Sequence, residues 1–272
     1  MRKKLVMLLS GIMIMSLALA GCGGGSKSET STEAEASSDA MVYAVEAGSA
    51  GAAVAEEKGF TVNEVASQAD ALMEVQSGTS DAAIIDLLMA GAMIGEGTSY
   101  PNLTHTDELT TEEYGVGCRK DSDLTSFINS IMYKTYADGT LQEIAAKYGV
   151  QEALVEQKEC AYEAAASDSD VEAIKAKGKF VVGITDFAPM DYKDDNGAWI
   201  GFDADMAKIV GEELGVEVEF VEIDWDNKIM ELDSKNIDAV WNGMTLTDEV
   251  TSSMNCTNPY CNNAQVVVVP AE

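Results

Sequence analysis

The chain has 272 residues, 17 basic and 47 acidic, with a formal charge of −30. A chain this acidic repels a phosphate backbone, so nucleic acid is excluded as a partner. With one histidine, His105, and cysteines that follow no zinc-ligand spacing, neither a histidine-based triad nor a metal or cofactor is expected.

The chain opens with Arg2, Lys3 and Lys4, then an apolar run from Leu5 to Ala20, then small residues. That is the three-part pattern of a secretory signal peptide over residues 1–21, and the run is too short to span a bilayer as a helix. Leu19-Ala20-Gly21-Cys22 resembles the bacterial lipobox, in which the cysteine is acylated and begins the mature chain. The expected location is therefore outside the cytoplasm, attached to the membrane by a lipid on Cys22. Removing three of the 17 basic residues leaves 14 against 47 acidic, a mature charge of −33. GGGSKSETSTEAEASSDA follows, with no large apolar residue, so residues 22–41 read as the lipidated cysteine and a flexible spacer.

Beyond the spacer, short apolar strands alternate with helical stripes, the signature of α/β lobes with mostly parallel sheets. Strands are expected at Val42–Val45, Ala82–Ile85, Tyr114–Cys118, Phe180–Ile184, Val216–Glu222, Ala239–Trp241 and Gln265–Val269. Helical core faces are spaced at Leu124, Phe127, Ile128 and Ile131, at Leu141, Ile144, Ala145 and Tyr148, and at Met206, Ile209 and Val210. Residues 151–170, rich in Ala and Glu, read as a connector, with helix as the weaker expectation for their conformation. Cys118, Cys160, Cys256 and Cys261 lie in a chain bound for an oxidising compartment, and a Cys256–Cys261 bridge and free buried thiols are both compatible with the sequence.

An internal repeat organises the rest. Met73-Glu74-Val75, Ser77 and Asp81-Ala82 recur at the same spacing as Met230-Glu231-Leu232, Ser234 and Asp238-Ala239. Each half therefore carries a similar helix, turn and strand. Asp86 follows the strand of one half, and Asn242-Gly243-Met244-Thr245 that of the other. Ligands collect at the carboxyl ends of strands in open α/β sheets, so the two ends define a cleft.

From Val171 onward, AIKAKGKFVVGITDFAPMDYKDDNGAWIGFDADMAKIVGEELG, IDWDNKIMELDSKNIDAVWNGMTLT and NPYCNNAQVVVV resemble the first lobe of the family 3 solute-binding proteins, the polar amino acid group of bacterial ABC importers. VYAVEAGSAGAAVAEE, DALMEVQSGTSDAAIIDLLMA and TTEEYGVGCRKDSDL, lying upstream, resemble that family's second lobe. The resemblance implies a two-lobed periplasmic-binding-protein-like α/β fold of type II with its lobes in circularly permuted order. The expected division is 42–113 for the second, smaller lobe, 114–118 for a single hinge crossing, and 119–272 for the first lobe with its connector at 150–170. One crossing in place of two implies a looser hinge, or exchange of lobes between two chains.

The implied function is capture of a small solute, an amino acid or a relative, for delivery to a membrane permease, without catalysis. A sensor subunit and a dehydratase-like enzyme on the same scaffold are the alternatives. Asp86 matches the family's ammonium-binding aspartate; by its own sequence context it is equally a helix cap. Gly48-Ser49-Ala50-Gly51 matches the family's Gly-Thr-Thr-Gly element, whose N–H groups bind an anion, and otherwise reads as a turn with a capping serine. Asn242, Gly243 and Thr245 match polar contacts, Asp186 an aspartate at the mouth, and Phe187 and Trp225 aromatics that sandwich the ligand or else belong to the core. The arginine that clamps the ligand carboxylate in the family is replaced by Val250, leaving backbone N–H groups, Ser49, Thr245 or Lys228 for that task. Glu46, Asp86, Asp186 and Asp226 would make the cleft acidic and favour neutral polar or cationic ligands.

Overall fold

A computed structural model of the protein describes residues 40–271 apart from 166. The expected signal peptide, Cys22 and nearly all of the spacer lie outside the described residues. The chain runs through β1 (Val42–Glu46), α1 (Ala50–Lys58), β2 (Thr61–Val65), α2 (Gln68–Ser77), β3 (Ala82–Asp86), α3 (Leu87–Met93), β4 (Leu103–Glu108) and β5 (Glu112–Cys118). Next come α4 (Leu124–Asp138), α5 (Thr140–Tyr148), α6 (Asp170–Lys177), β6 (Lys179–Ile184), β7 (Tyr192–Lys193), β8 (Trp199–Ile200) and α7 (Phe202–Leu214). It finishes with β9 (Glu217–Glu222), α8 (Lys228–Asp233), β10 (Ala239–Thr245), α9 (Asp248–Ser253), β11 (Asn255–Cys256), β12 (Cys261–Asn263) and β13 (Gln265–Pro270).

Two sheets form, and they follow one plan. The first is ordered β2-β1-β3-β13-β4 and the second β9-β6-β10-β5-β11, with β12 also paired to β5. In each, the first three strands are parallel and the fourth, β13 or β5, is antiparallel to its neighbour. The repeated sequence falls on α2–β3 and α8–β10, the same place in each sheet, so the repeat is a repeat of architecture. The expected helical stripes lie on α4, α5 and α7, where Leu124, Phe127, Ile128, Ile131, Leu141, Ala145, Met206 and Val210 are buried.

Two expectations are corrected. The chain crosses between sheets twice: at residues 109–111, before β5, which itself lies inside the second sheet, and at Ala264, before β13, which lies inside the first. The reason is burial. Every residue of β3 is buried, so its outer edge needs a covering strand, and the Val266–Val269 run supplies one. The crossings are hydrogen-bonded to each other, Leu109 N donating to Gln265 O at 2.7 Å and Gln265 N to Thr110 Oγ1 at 2.9 Å, so the hinge is double.

The connector is the second correction. Among the described residues of the connector only Gln151–Ala153 form a helical turn, and those from Leu154 to Ala165 are irregular. It is held along the lobe of the second sheet by Val155 N to Tyr260 O at 2.9 Å, Gln157 Nε2 to Pro259 O at 2.9 Å and Tyr162 OH to Asp123 Oδ2 at 2.9 Å. Of the two readings left open for the cysteines, the free one holds: the four described cysteines are free. Cys256 and Cys261 stand opposite Gly117 and Tyr114, three residues apart on β5, or about 10 Å, beyond the reach of a disulfide.

Candidate ligand-binding cleft

The carboxyl ends of β1 and β3 in one lobe face that of β10 in the other, and between them lies a cavity of about 210 Å³. From the lobe of β1 and β3 it is walled by Glu46, Gly48, Ser49, Ala50, Gln68 and Asp86, and from the lobe of β10 by Trp225, Lys228, the Asn242–Thr245 strand end and Asp248–Val250. Glu46 ends β1, and the chain then turns through Gly48 at φ 67° into α1. Ser49 caps α1, its Oγ accepting from Ala52 N at 3.1 Å. Gly48 must be glycine for a second reason: a Cβ there would stand 2.7 Å from the Asp226 Cα across the cleft. The lobes are thus closed on each other, and Lys228 Nζ reaches over to Gly48 O at 2.8 Å while also donating to Trp225 O at 3.2 Å.

Asp86 sits before α3 but makes no side-chain cap bond, which removes the capping reading. Its carboxylate instead gathers the hinge. Tyr114 OH donates to Oδ1 at 2.6 Å, Gln265 Nε2 to Oδ1 at 3.1 Å, Asn263 Nδ2 to Oδ1 as well, and Gln68 Nε2 to Oδ2. Glu112 completes the network, its Oε2 accepting from Gln265 Nε2 at 3.0 Å, Asn263 Nδ2 at 3.2 Å and Thr245 Oγ1 at 3.0 Å. Burial, with the nearby Glu112 charge, pushes Asp86 up to about 7 against the pull of its donors. Glu46, 3 % exposed, is pushed to about 8 by burial first and by the Asp86 charge second; Thr185, Lys228 and Gln68 hold it back. Burial lowers Lys228.

On the other wall, Asn242 Nδ2 donates to Thr185 Oγ1 at 2.8 Å and its Oδ1 accepts from Thr185 N at 3.0 Å, fixing the strand end. Gly243, at φ 56°, lies under the Phe187 ring and donates its N–H to buried Asp203 Oδ2 at 2.6 Å.

Several sequence candidates are placed elsewhere. Phe187 is 2 % exposed and packs edge-on to Tyr114, 6.3 Å between centroids, as support beneath Gly243 and not as cavity wall. Asp186 lines a separate open groove with Asp70, Tyr100 and Glu222. Gly51 packs against Ile84 O and Gln265, behind the cavity. Asp226 meets the Gly48 backbone and is absent from the cavity wall. Trp225, Ser49, Ala50, Glu46, Asp86, Asn242, Gly243 and Thr245 do converge, and Val250, buried, stands where the resemblance implies an arginine. Missed were Gln68, Glu112, Tyr114, Asn263 and Gln265. Their positions at the crossings would have been the signal, had the second crossing been expected.

Two α/β lobes of one plan, joined at a double hinge around a closed cleft, make up the two-lobed fold of the periplasmic binding proteins. Residues 180–272 match the family described as bacterial extracellular solute-binding proteins, family 3, and that part of the chain belongs to it. Curated relatives include the L-cystine-binding protein TcyJ of Escherichia coli, 33% identical over 32% of this chain and 33% of its own. The arginine-binding extracellular protein ArtP of Bacillus subtilis is 31% identical over 34% of this chain and 36% of its own. A solved polar amino acid ABC uptake transporter substrate-binding protein from Streptococcus thermophilus is 40% identical over 30% of this chain and 31% of its own, with a TM-score of 0.29. The chain thus spans about a third of the length of the curated relatives it matches. Among the described residues no helix is long and apolar enough to cross a membrane.

Proposed function

We propose that the protein is the lipid-anchored, extracytoplasmic substrate-binding protein of a bacterial ABC importer, which captures a polar amino acid or a close relative between its lobes and hands it to a permease. The observation that carries this reading is the closed inter-lobe cavity at the strand ends of a family 3 sequence. Its size suits a small solute, below the usual range of about 300–1,000 Å³ for larger ligands. Trp225 offers an aromatic wall, Ser49, Asn242 and Thr245 neutral polar groups, and Glu46 and Asp86 acidic ones. The curated relatives are binding proteins by name, which favours binding over turnover.

The lobes are proposed to stand in permuted order. Supporting this, β13 ends beside the start of β3, and β3 pairs with the start of β1, so the ends of the described chain lie about two strand spacings, ~10 Å, apart. The 151–169 segment joins α5 to α6 within one lobe, as a linker between the family's ordinary termini would. Lipid attachment rests on the lipobox pattern at Cys22. The decisive experiment is a thermal-shift screen of the mature chain against the amino acids and related amines, because a ligand that binds only the folded state raises Tm. A rise with one or a few amino acids is expected; no rise with any of them overturns the reading.

A further inference from the structure

We infer that Glu46, at the end of β1, is the acid that receives the cationic side-chain group of the ligand, so that this site selects cationic side chains through it. The inference rests on the proposed function and deepens it. The two acids differ in how many of their acceptor positions are taken. A carboxylate offers about four lone-pair positions. Asp86 accepts from four protein donors, the hydroxyl of Tyr114 and the amides of Asn263 and Gln265 on Oδ1 and the amide of Gln68 on Oδ2, so that a single Oδ2 position is left open. These donors come from both crossings and from α2, which makes Asp86 a strut of the hinge. Glu46 is the opposite case. It lines the cavity, and its buried Oε1 has no hydrogen-bond partner.

The charges around Glu46 do not supply the missing partner. Asp86, on β3 of the same lobe, repels it. From the facing lobe, Lys228 attracts it but is committed to two carbonyl oxygens, and among the described residues no ion pair joins the two side chains. The remaining ionisable groups on the cavity wall, Asp248 and Glu249, are acidic. Where the resemblance implies an arginine stands Val250, so an unsatisfied buried acid faces a cavity with no free cation of its own on the described walls.

An unpaired buried carboxyl keeps its proton. With the Glu46 carboxyl pushed up to about 8, roughly nine in ten molecules carry that proton at pH 7 in the closed, empty cleft. A ligand ammonium or guanidinium takes the proton's place: the O–H bond breaks, the proton leaves to buffer, and the carboxylate is held by the cation. Binding of a cation therefore releases close to one proton at neutral pH, and its affinity rises about tenfold per pH unit up to about pH 8 before levelling.

The test is calorimetric titration of the full mature chain with L-arginine, L-lysine and agmatine, between about pH 6 and 9, in two buffers of different ionisation enthalpy so that released protons are counted. For a probe that binds, the expected result is the proton release and pH slope just described. Glu46→Gln should weaken binding at least about 30-fold and abolish both signatures, since truncating one partner of a buried charge pair is costly. Asp86→Asn should lower stability and affinity yet keep the slope. Binding to Glu46→Gln with wild-type affinity, or a slope that vanishes in Asp86→Asn but survives in Glu46→Gln, overturns the inference while leaving the proposed function intact. Binding only of amino acids without a cationic side chain, independent of pH, also overturns it. Failure of the wild type to bind any probe or any amino acid overturns both.

Discussion

Replacing Gly48 by alanine separates closure from folding. Gly48 holds φ 67°, a left-handed conformation that costs an alanine about 1 kcal/mol. That cost falls on the fold in every state. The second cost falls on the closed state alone: the new Cβ would stand 2.7 Å from both the Cα and the Oδ1 of Asp226 in the facing lobe. Ordinary carbon contacts need about 3.5–4.0 Å. The lobes must then part by about 1 Å, which also pulls Gly48 O from the Lys228 ammonium now 2.8 Å away. Losing that charge-assisted bond is worth about 1.5–3 kcal/mol, or roughly 10- to 150-fold in affinity. Urea unfolding of the empty protein should show a loss near 1 kcal/mol, and calorimetry with the ligand found by the thermal screen should show the much larger fall in affinity. Wild-type affinity in Gly48→Ala would refute the view that the closed arrangement is the binding one.

Other consequences follow from the buried acids and the struts. Asp86 and Glu46 have folded values raised to about 7 and 8, so the empty fold prefers their protonated forms; their contribution to stability should be lost as pH rises from about 4 to 8, and Tm of Asp86→Asn and Glu46→Gln should fall less than wild type over that window. Tyr114→Phe removes a 2.6 Å donor to buried Asp86 and should cost about 1.5–3 kcal/mol in urea unfolding, with the fold retained by circular dichroism. Arg119 joins Asp170 at 3.0 Å and the Ile237 carbonyl at 2.8 Å, while Asp238, 3.6 Å away, also keeps Lys177 at 2.7 Å, so Arg119→Met should cost about 1–3 kcal/mol, chiefly through Asp170 and the carbonyl, and speed proteolysis of the connector that Asp170 terminates.

Much of the fold was legible because its central strands are apolar runs. Ala82–Ile85, Phe180–Ile184 and Gln265–Val269 are each flanked on both sides in their sheets, and that demand shows in the residues. The strands that were missed sit where no such demand exists. Thr61–Val65, TVNEV, is an edge strand with no fully buried residue, and Leu103–Glu108, LTHTDE, is the opposite edge of the same sheet. A polar edge strand and a polar loop read alike. At the site, the residues on strand ends were legible because strand ends are predictable. The Glu112–Asn263–Gln265 group was not, since its meaning depends on two segments about 150 residues apart in sequence passing side by side. For Phe187 the choice between ligand wall and core was closed to the sequence for a related reason: its ring fills the space that Gly243 leaves, which only the fold displays.

The two hinge segments are bonded to each other, and this settles which contacts can report on a ligand. Lobes that swing about such a bonded pair rotate like the leaves of a book about its spine. Groups on the spine, Asp86, Tyr114, Glu112 and Gln265, travel little, so their bonds survive whether the book is open or shut. Groups off the spine travel further, and among them are the Gly48 turn and the Lys228 and Asp226 it meets across the cleft. Under the proposed function, steadiness and responsiveness thereby fall to different residues: the spine keeps the two pages in register, and the Gly48, Lys228 and Asp226 contacts are the ones that opening would break.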